Sequence, residues 1–537
     1  MRPSSSRGIK RANSHERKTM ARYKEYSYAQ GMFLPVSFHE QILPGTFEYA
    51  LNYIIDKEMD LSVFERRYRN DQAGAPAFDP AILLKIILYA YSLGITSSRE
   101  MEKLCATNIT FIALTANSRP HFTTIADFIS SLEREVASLF TDVLLICAEE
   151  NLIGKHMFAI DGCKLSSNCS KELSGTKADL VRKKIRIEAS VDFLVKKHQA
   201  YDKQDPCAAS MVEKEKKALK NLRQKAAKIQ SWLEDNEDKT GAHGNIIKSN
   251  ITDNESAKMT SSHGVLQGYN GIAAVDDKRQ VIVQAEAHGS GSEHQTLERV
   301  LQGVDDNLQR VGEKGVLQQA VITADTGFHS ERNLAWLLER RIEAYIPDTQ
   351  FRQRDPAFQT AGDHKRPIDR KHTVKKNKYF RPSDFRYDEG TGKLICPAGK
   401  ALYLKNSNFS TAKGMKGVSY MGRKTDCTGC ELRKQCLRNE KTAARQVTIF
   451  SDDRSEVKVS LTRKMIKAFD TARGRFYYSL RMGTIEPVFA NLRHNLGLDR
   501  FSLRGRRKVD TQWKLFCIVH NLGKIFRYGH RYRCQPA

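Results

Sequence analysis

Two apolar runs in this chain, Met157-Phe158-Ala159-Ile160 and Val321-Ile322-Thr323-Ala324, each end on an aspartate, Asp161 and Asp325. Short runs of this kind read as buried strands, which sets the two acids at strand ends of an α/β fold. A third acid, Glu486, opens an amphipathic stretch far downstream, Thr484-Ile485-Glu486-Pro487-Val488-Phe489. Three carboxylates from two strand ends and a helix can share two hard divalent cations, which prefer oxygen ligands. Such a pair of ions clamps the attacking and leaving oxygens of an in-line phosphoryl displacement.

Charge indicates what such a centre would act on. The 537 residues carry a formal net charge of +26, an excess that favours nucleic acid or an anionic membrane surface. The membrane option lacks an anchor: the longest apolar stretch, Phe78 to Ile95, is broken by Asp79 and Lys85 and reads as a buried helix. The densest positive field is Arg481 to Ala537, with twelve Lys/Arg against Glu486, Asp499 and Asp510. These features together describe a metal-dependent enzyme that cuts and joins DNA.

A chain of this length should hold roughly three or four domains. Residues 1–27 read as a disordered basic arm, a composition that an organelle transit peptide shares. Residues 28–150 read as a helical domain for DNA binding or dimerisation; Asp79 caps a helix from Pro80 that Gly94 closes. Residues 151–347 read as the first part of a mixed-sheet catalytic domain with helices on its faces, interrupted by a charged helical insertion at about 171–250. Within it, Tyr269, Ile272, Ala274 and Val275, then Val281-Ile282-Val283 after an Asp276-Asp277-Lys278-Arg279 turn, predict a β-hairpin. A helix over Glu293 to Val311 follows. Residues 348–455 hold a basic aperiodic linker and a cysteine-rich module, and residues 456–537 return to helices that bring the third acid.

Each candidate acid has a blander reading. Asp161-Gly162 is also a turn dipeptide. Asp325-Thr326-Gly327 matches the motif of aspartic proteases, but those need two such aspartates sharing a proton, and the chain has no second copy. At the third acid, Thr484 is the expected cap and Pro487 a first-turn proline. Glu486 and Arg493, seven residues apart, share a helical face within about 20°. That face is either solvated or a metal ligand beside an arginine that grips phosphate.

Of eleven cysteines, four cluster as Cys396, Cys427, Cys430 and Cys436. Their spacing suits a structural zinc site, with a redox pair or unrelated buried thiols as alternatives. An odd total with one cluster points to a reducing compartment, the cytoplasm.

Tyr478-x2-Arg481-x4-Glu486-x6-Arg493 resembles the Tyr-Arg-Glu-Lys signature around the last acid of the DDE transposases of bacterial insertion sequences. One extra residue separates Arg481 from Glu486, and arginine replaces the lysine. Phe78-Asp79-Pro80-Ala81-Ile82-Leu83-Leu84-Lys85, Ile251-Thr252-Asp253, His263-Gly264-x3-Gly268-Tyr269-Asn270 and Ala324-Asp325-Thr326-Gly327-Phe328 are similar to the subset with an InsH-type helical N-terminal domain. The resemblance covers most of residues 30–525. It implies an RNase H-like catalytic domain with insertions, in which Asp161, Asp325 and Glu486 are catalytic and bind two Mg²⁺ or Mn²⁺. It is also in keeping with a zinc-ribbon-like segment at the four cysteines, and with Tyr478, Arg481 and Arg493 on DNA phosphates. The implied partners are double-stranded DNA, both terminal inverted repeats and target, and further copies of the chain in a homodimer or higher multimer. The implied setting is the bacterial nucleoid. The implied reaction is nicking at the element's ends and attack of the freed 3′-hydroxyl on target DNA. A catalytically inactive DNA-binding relative, and a nuclease or resolvase of the same fold, are the competing readings.

Overall fold

The computed structural model of the chain describes residues 37–67, 76–201, 209–241, 244–261, 264–291, 293–358, 379–410, 416–439, 441–450 and 461–532. The basic arm expected at 1–27, His263 and residues 359–378 of the basic linker lie outside them.

Six strands build the central sheet: β1 (Met157–Ser166), β2 (Ala257–Ser261), β3 (Gly264–Asp276), β4 (Ile282–His288), β5 (Val321–Ala324) and β6 (Glu343–Tyr345). Their order is β6-β5-β1-β3, with β2 and β4 both paired to the far side of β3. The pairs β1–β3, β2–β3 and β3–β4 are antiparallel, whereas β1–β5 and β5–β6 are parallel. β1 and β5 are interior strands, and all four residues before each aspartate are buried. That explains why both runs are apolar without alternation. The expected hairpin is β3–β4. Its turn is anchored by the buried Asp276 carboxylate, which accepts the backbone N–H groups of Gly154 (2.9 Å), Lys155 (2.8 Å) and Lys278 (3.0 Å).

Seven helices matter to the site: α1 (Pro80–Ser92), α2 (Val136–Glu149), α3 (Lys177–Tyr201), α4 (Ala209–Asp235), α5 (Leu297–Arg310), α6 (Ala472–Ala490) and α7 (Arg506–Tyr528). α1 begins as the sequence predicts. Asp79 accepts the Ala81 N–H at 2.8 Å, and Gly94, with φ +75°, supplies the left-handed turn beyond its end. α3 and α4 pair as the expected helical insertion around Leu180, Ile229 and Trp232.

α7 joins the halves of the molecule. On one side Phe516 stacks on Tyr91 of α1, with ring centroids 4.4 Å apart. On the other it covers β4. Asn521 accepts the Ile282 N–H and donates to the Ile282 carbonyl, both at 2.9 Å, and Asp510 accepts the Ala287 N–H at 2.7 Å. Side chains of α7 thus replace a strand partner along the covered edge of β4. The N-terminal helices and the central sheet share one hydrophobic core as a result.

The cysteine module is a separate antiparallel sheet of five strands in sequence order, from Arg386–Asp388 to Gln446–Phe450. It has its own core of Phe385, Leu394, Leu402, Tyr420 and Val447. Among the described residues no helix is long and apolar enough to cross a membrane.

Besides β1, which keeps pairing with β3 past Asp161 as far as Ser166 and so holds that acid within the strand rather than at its end or in a turn, two elements differ from the sequence reading. α6 starts at Ala472, capped by Thr471, whose hydroxyl accepts the Gly474 N–H at 3.1 Å. Thr484 is therefore mid-helix, donating to the Leu480 carbonyl at 2.9 Å, and Pro487 sits inside the helix. Proline has no N–H for the carbonyl four residues back. That carbonyl belongs to Gly483, and Gln280 of the β3–β4 turn donates its amide to it at 3.0 Å. The second difference is α5, which starts at Leu297 rather than Glu293, leaving Glu293 in the preceding loop.

Candidate active site

The parallel register of β1 with β5 ends with Ile160 opposite Ala324. Asp161 and Asp325 are the next residues on each chain, so they leave the buried layer on neighbouring strands. Asp161 Oδ1 accepts its neighbour's N–H at Gly162 (2.8 Å), and Oδ2 accepts from Arg481 Nη1 (2.6 Å). Asp325 Oδ1 accepts the Thr326 N–H at 2.7 Å and opens a short 3-10 turn. Glu486 lies on the exposed face of α6. Asp161, Asp325 and Glu486 line one open cleft of about 780 Å³, together with Lys164, Glu293 and Arg493.

The three basic or aromatic residues expected on phosphates occupy different places. Arg493 lines the cleft. Arg481 is only 5% exposed and bridges to Asp161. Tyr478 lies beneath its guanidinium, 5.4 Å from ring centroid to Cζ, and packs on Phe469 and Phe351. Arg481 and Tyr478 thus support the Asp161 side of the cleft from within.

Glu293 is the residue that sequence reasoning missed. Its Oε1 accepts from Asn270 Nδ2 at 2.9 Å. A Cβ added to Gly162 would lie 2.7 Å from Oε1, and one added to Gly327 would collide with Oε2. Gly162 and Gly327 immediately follow Asp161 and within two residues follow Asp325. The Glu293 carboxylate is therefore wedged between Gly162 of β1 and the 3-10 turn that follows Asp325. The available signal was a glycine after each acid, which marks close approach of another group.

Burial pushes the Asp161 carboxyl above its ordinary range despite the Arg481 guanidinium, and the nearby Asp325 charge adds to the rise. Burial likewise raises Glu293, against its Asn270 hydrogen bond and with Asp161 and Asp325 contributing. The carboxylates lining this cleft, offset by Lys164, Arg481 and Arg493, are oxygen donors of the kind hard divalent ions take. Among the described residues, no three His, Cys, Asp or Glu side chains stand close enough together to hold a metal ion.

In the second module, Cys396, Cys427, Cys430 and Cys436 line a single small cavity of about 40 Å³. The Lys400 N–H points at Cys396 Sγ (3.3 Å). Burial raises the Cys436 thiol, with Arg445 opposing and the other three cysteines adding to the rise.

Residues 395–526 match a transposase DDE domain, from the cysteine module through Glu486 and into α7. Residues 36–131 match a transposase domain (DUF772) that covers the N-terminal helices. Both matches are to transposase domains, the C-terminal one of the DDE type. No curated protein matches it. A transposase of this type works in DNA transposition and recombination, and its DDE domain implies metal-dependent cleavage of DNA. The matched segment includes the helix of Glu486 but neither β1 nor β5. In this transposase the assignment of the two aspartates therefore rests on strand register and on the cleft they line.

Proposed function

We propose that the chain is the transposase of a bacterial insertion sequence. It binds terminal inverted repeats as a dimer or higher multimer, cleaves the element's ends and joins the 3′-hydroxyls to target DNA at the nucleoid. The register that sets Asp161 beside Asp325, in a cleft that Glu486 also lines, is the observation that carries this reading. The mixed sheet, with antiparallel β1–β3 and parallel β1–β5 pairs, is in keeping with an RNase H-like core.

Asp161, Asp325 and Glu486 would hold two Mg²⁺ or Mn²⁺ once drawn together, and Glu293 borders the same cleft. Bound there, such ions would activate the nucleophile and stabilise the departing 3′-oxygen. The chain's own contributions are separate. Arg481 orients Asp161 and opposes the rise that burial imposes on its carboxyl, and Arg493 faces the cleft where a scissile phosphate would lie. Four thiols around one cavity support a structural zinc in the ribbon-like module.

The deciding experiment uses Asp325→Asn with a labelled duplex carrying the element's ends. Cleavage should vanish while DNA retention persists, and normal cutting by this variant would remove Asp325 from the chemistry. Strand-transfer product on a circular target separates a transposase from a nuclease or resolvase of the same fold. Zinc is tested independently: one equivalent should be measured in the purified protein, and none after Cys427→Ser/Cys430→Ser.

A further inference from the structure

We propose that a second cleft, between the helical insertion and β2, carries the phosphate backbone of DNA toward the catalytic cleft. This rests on the DNA-cleaving reading above and adds a binding surface to it. The cleft has a volume of about 880 Å³ and is lined by Lys239, Lys248, Lys258 and Arg299, with Gly289 and Gly291 on its floor. No carboxylate is among its lining residues. Lys248 and Lys258 are exposed, and neither forms an ion pair among the described residues. Arg299 bonds Glu286 at 2.5 Å yet keeps 60% of its side chain in solvent.

The charge is concentrated as well as exposed. Lys183 donates to the carbonyls of Glu172 and Ser174. Burial lowers its pKa, and the Lys258 and Lys248 ammonium groups lower it further. Three like charges held within electrostatic reach repel one another, an effect that Asp179 and Glu172 offset only in part, and an added anion relieves it. A chain of phosphodiesters supplies one charge per nucleotide.

Continuity with the active site comes from two elements. On β2, Lys258 and Thr260 are two residues apart and share a face; Lys258 lines the basic cleft and Thr260 the catalytic one. Their separation along the strand is about 7 Å, close to twice the axial rise per phosphate of one DNA strand. The loop between β4 and α5 does the same. Gly289 and Gly291 border the basic cleft, and Glu293 borders the catalytic cleft. A strand lying on Lys248 and Lys258 therefore enters the acid-lined cleft within a few nucleotides.

The test uses the full chain and a fluorescein-labelled 30-bp duplex of arbitrary sequence, because phosphate contacts do not read bases. Affinity is measured from 50 to 200 mM NaCl. Each lost phosphate contact reduces the slope of log K against log[salt] by about 0.9, so Lys248→Ala/Lys258→Ala should flatten it by roughly 2. Lys248→Arg/Lys258→Arg should keep the wild-type slope, which separates charge loss from misfolding. The control Arg310→Ala/Lys314→Ala removes the same charge at the far end of α5, about 16 Å of helix from Arg299, and should leave the slope alone. Equal flattening by both alanine pairs, or no flattening by the cleft pair, overturns the inference while leaving the catalytic reading intact. Wild-type protein that shows no salt-dependent duplex binding would overturn the DNA reading itself.

Discussion

Asp161 is held between two opposing effects, burial and the Arg481 guanidinium, of which burial is the larger. Removing one partner of a buried ion pair leaves an uncompensated charge, at a cost of about 3–5 kcal/mol. Arg481→Met should therefore lower stability by that order in urea unfolding. Millimolar Mn²⁺ should restore part of the loss if the cation takes the place of the guanidinium, since a ligand of the folded state alone stabilises it. Glu293 leads to a second prediction. Gly327→Ala should displace its carboxylate, reducing DNA cleavage as strongly as Glu293→Gln, whereas Ala at the open Gly429 should have little effect. Asp161, Asp325 and Glu486 were legible in the sequence because each sits at the end or face of a regular apolar pattern. Glu293 was not, since it lies in an irregular loop and its neighbours Asn270 and Gly327 are distant in the chain or set by tertiary approach.

Among the elements, α6 shows how far a local pattern can mislead. Thr484 three residues before Pro487 reads as a cap and first-turn proline, and nothing local contradicts it. The missing partner is Gln280, whose amide reaches the carbonyl that Pro487 strands. Gln280→Ala should cost about 1 kcal/mol, the usual net worth of one hydrogen bond. Pro487→Ala restores a backbone donor to Gly483, so Gln280→Ala should cost less in that background. Equal costs in the two backgrounds, measured by a double-mutant cycle in urea, would dissociate the two residues. Elements governed by periodicity, such as α1 and the β3–β4 hairpin, were predicted well; those completed by a residue some 200 positions away were not.

For the molecule as a whole, the junction of α6, α7 and the β3–β4 turn has a pH signature. His520 is buried, with Asn491 Nδ2 3.0 Å from Nδ1 and the Gln280 carbonyl 2.9 Å from Nε2. One nitrogen accepts and the other donates, which fits only the neutral ring. Burial lowers its pKa to about 3. Below the unfolded value of 6.5 the unfolded chain takes up a proton that the folded state refuses. The stability His520 contributes is thus complete above 6.5 and declines toward pH 3. The cost of His520→Gln should shrink by about 1.4 kcal/mol per pH unit below 6.5, read as the difference in urea unfolding between the two proteins. A pH-independent difference would contradict the neutral assignment.

The position of α7 carries a consequence for the order in which a growing chain becomes active. The strands that bear Asp161 and Asp325, and the helices beginning at α1, all leave the ribosome long before Arg506. Until α7 follows, the β4 edge lacks Asn521 and Asp510, and Tyr91 has no ring to stack on. A nascent polypeptide stalled ahead of Arg506 would expose that apolar seam to chaperones and proteases. It would also hold Asp161 and Asp325 on a sheet that is not yet sealed, so the cleft they line is completed only after synthesis has passed Arg506.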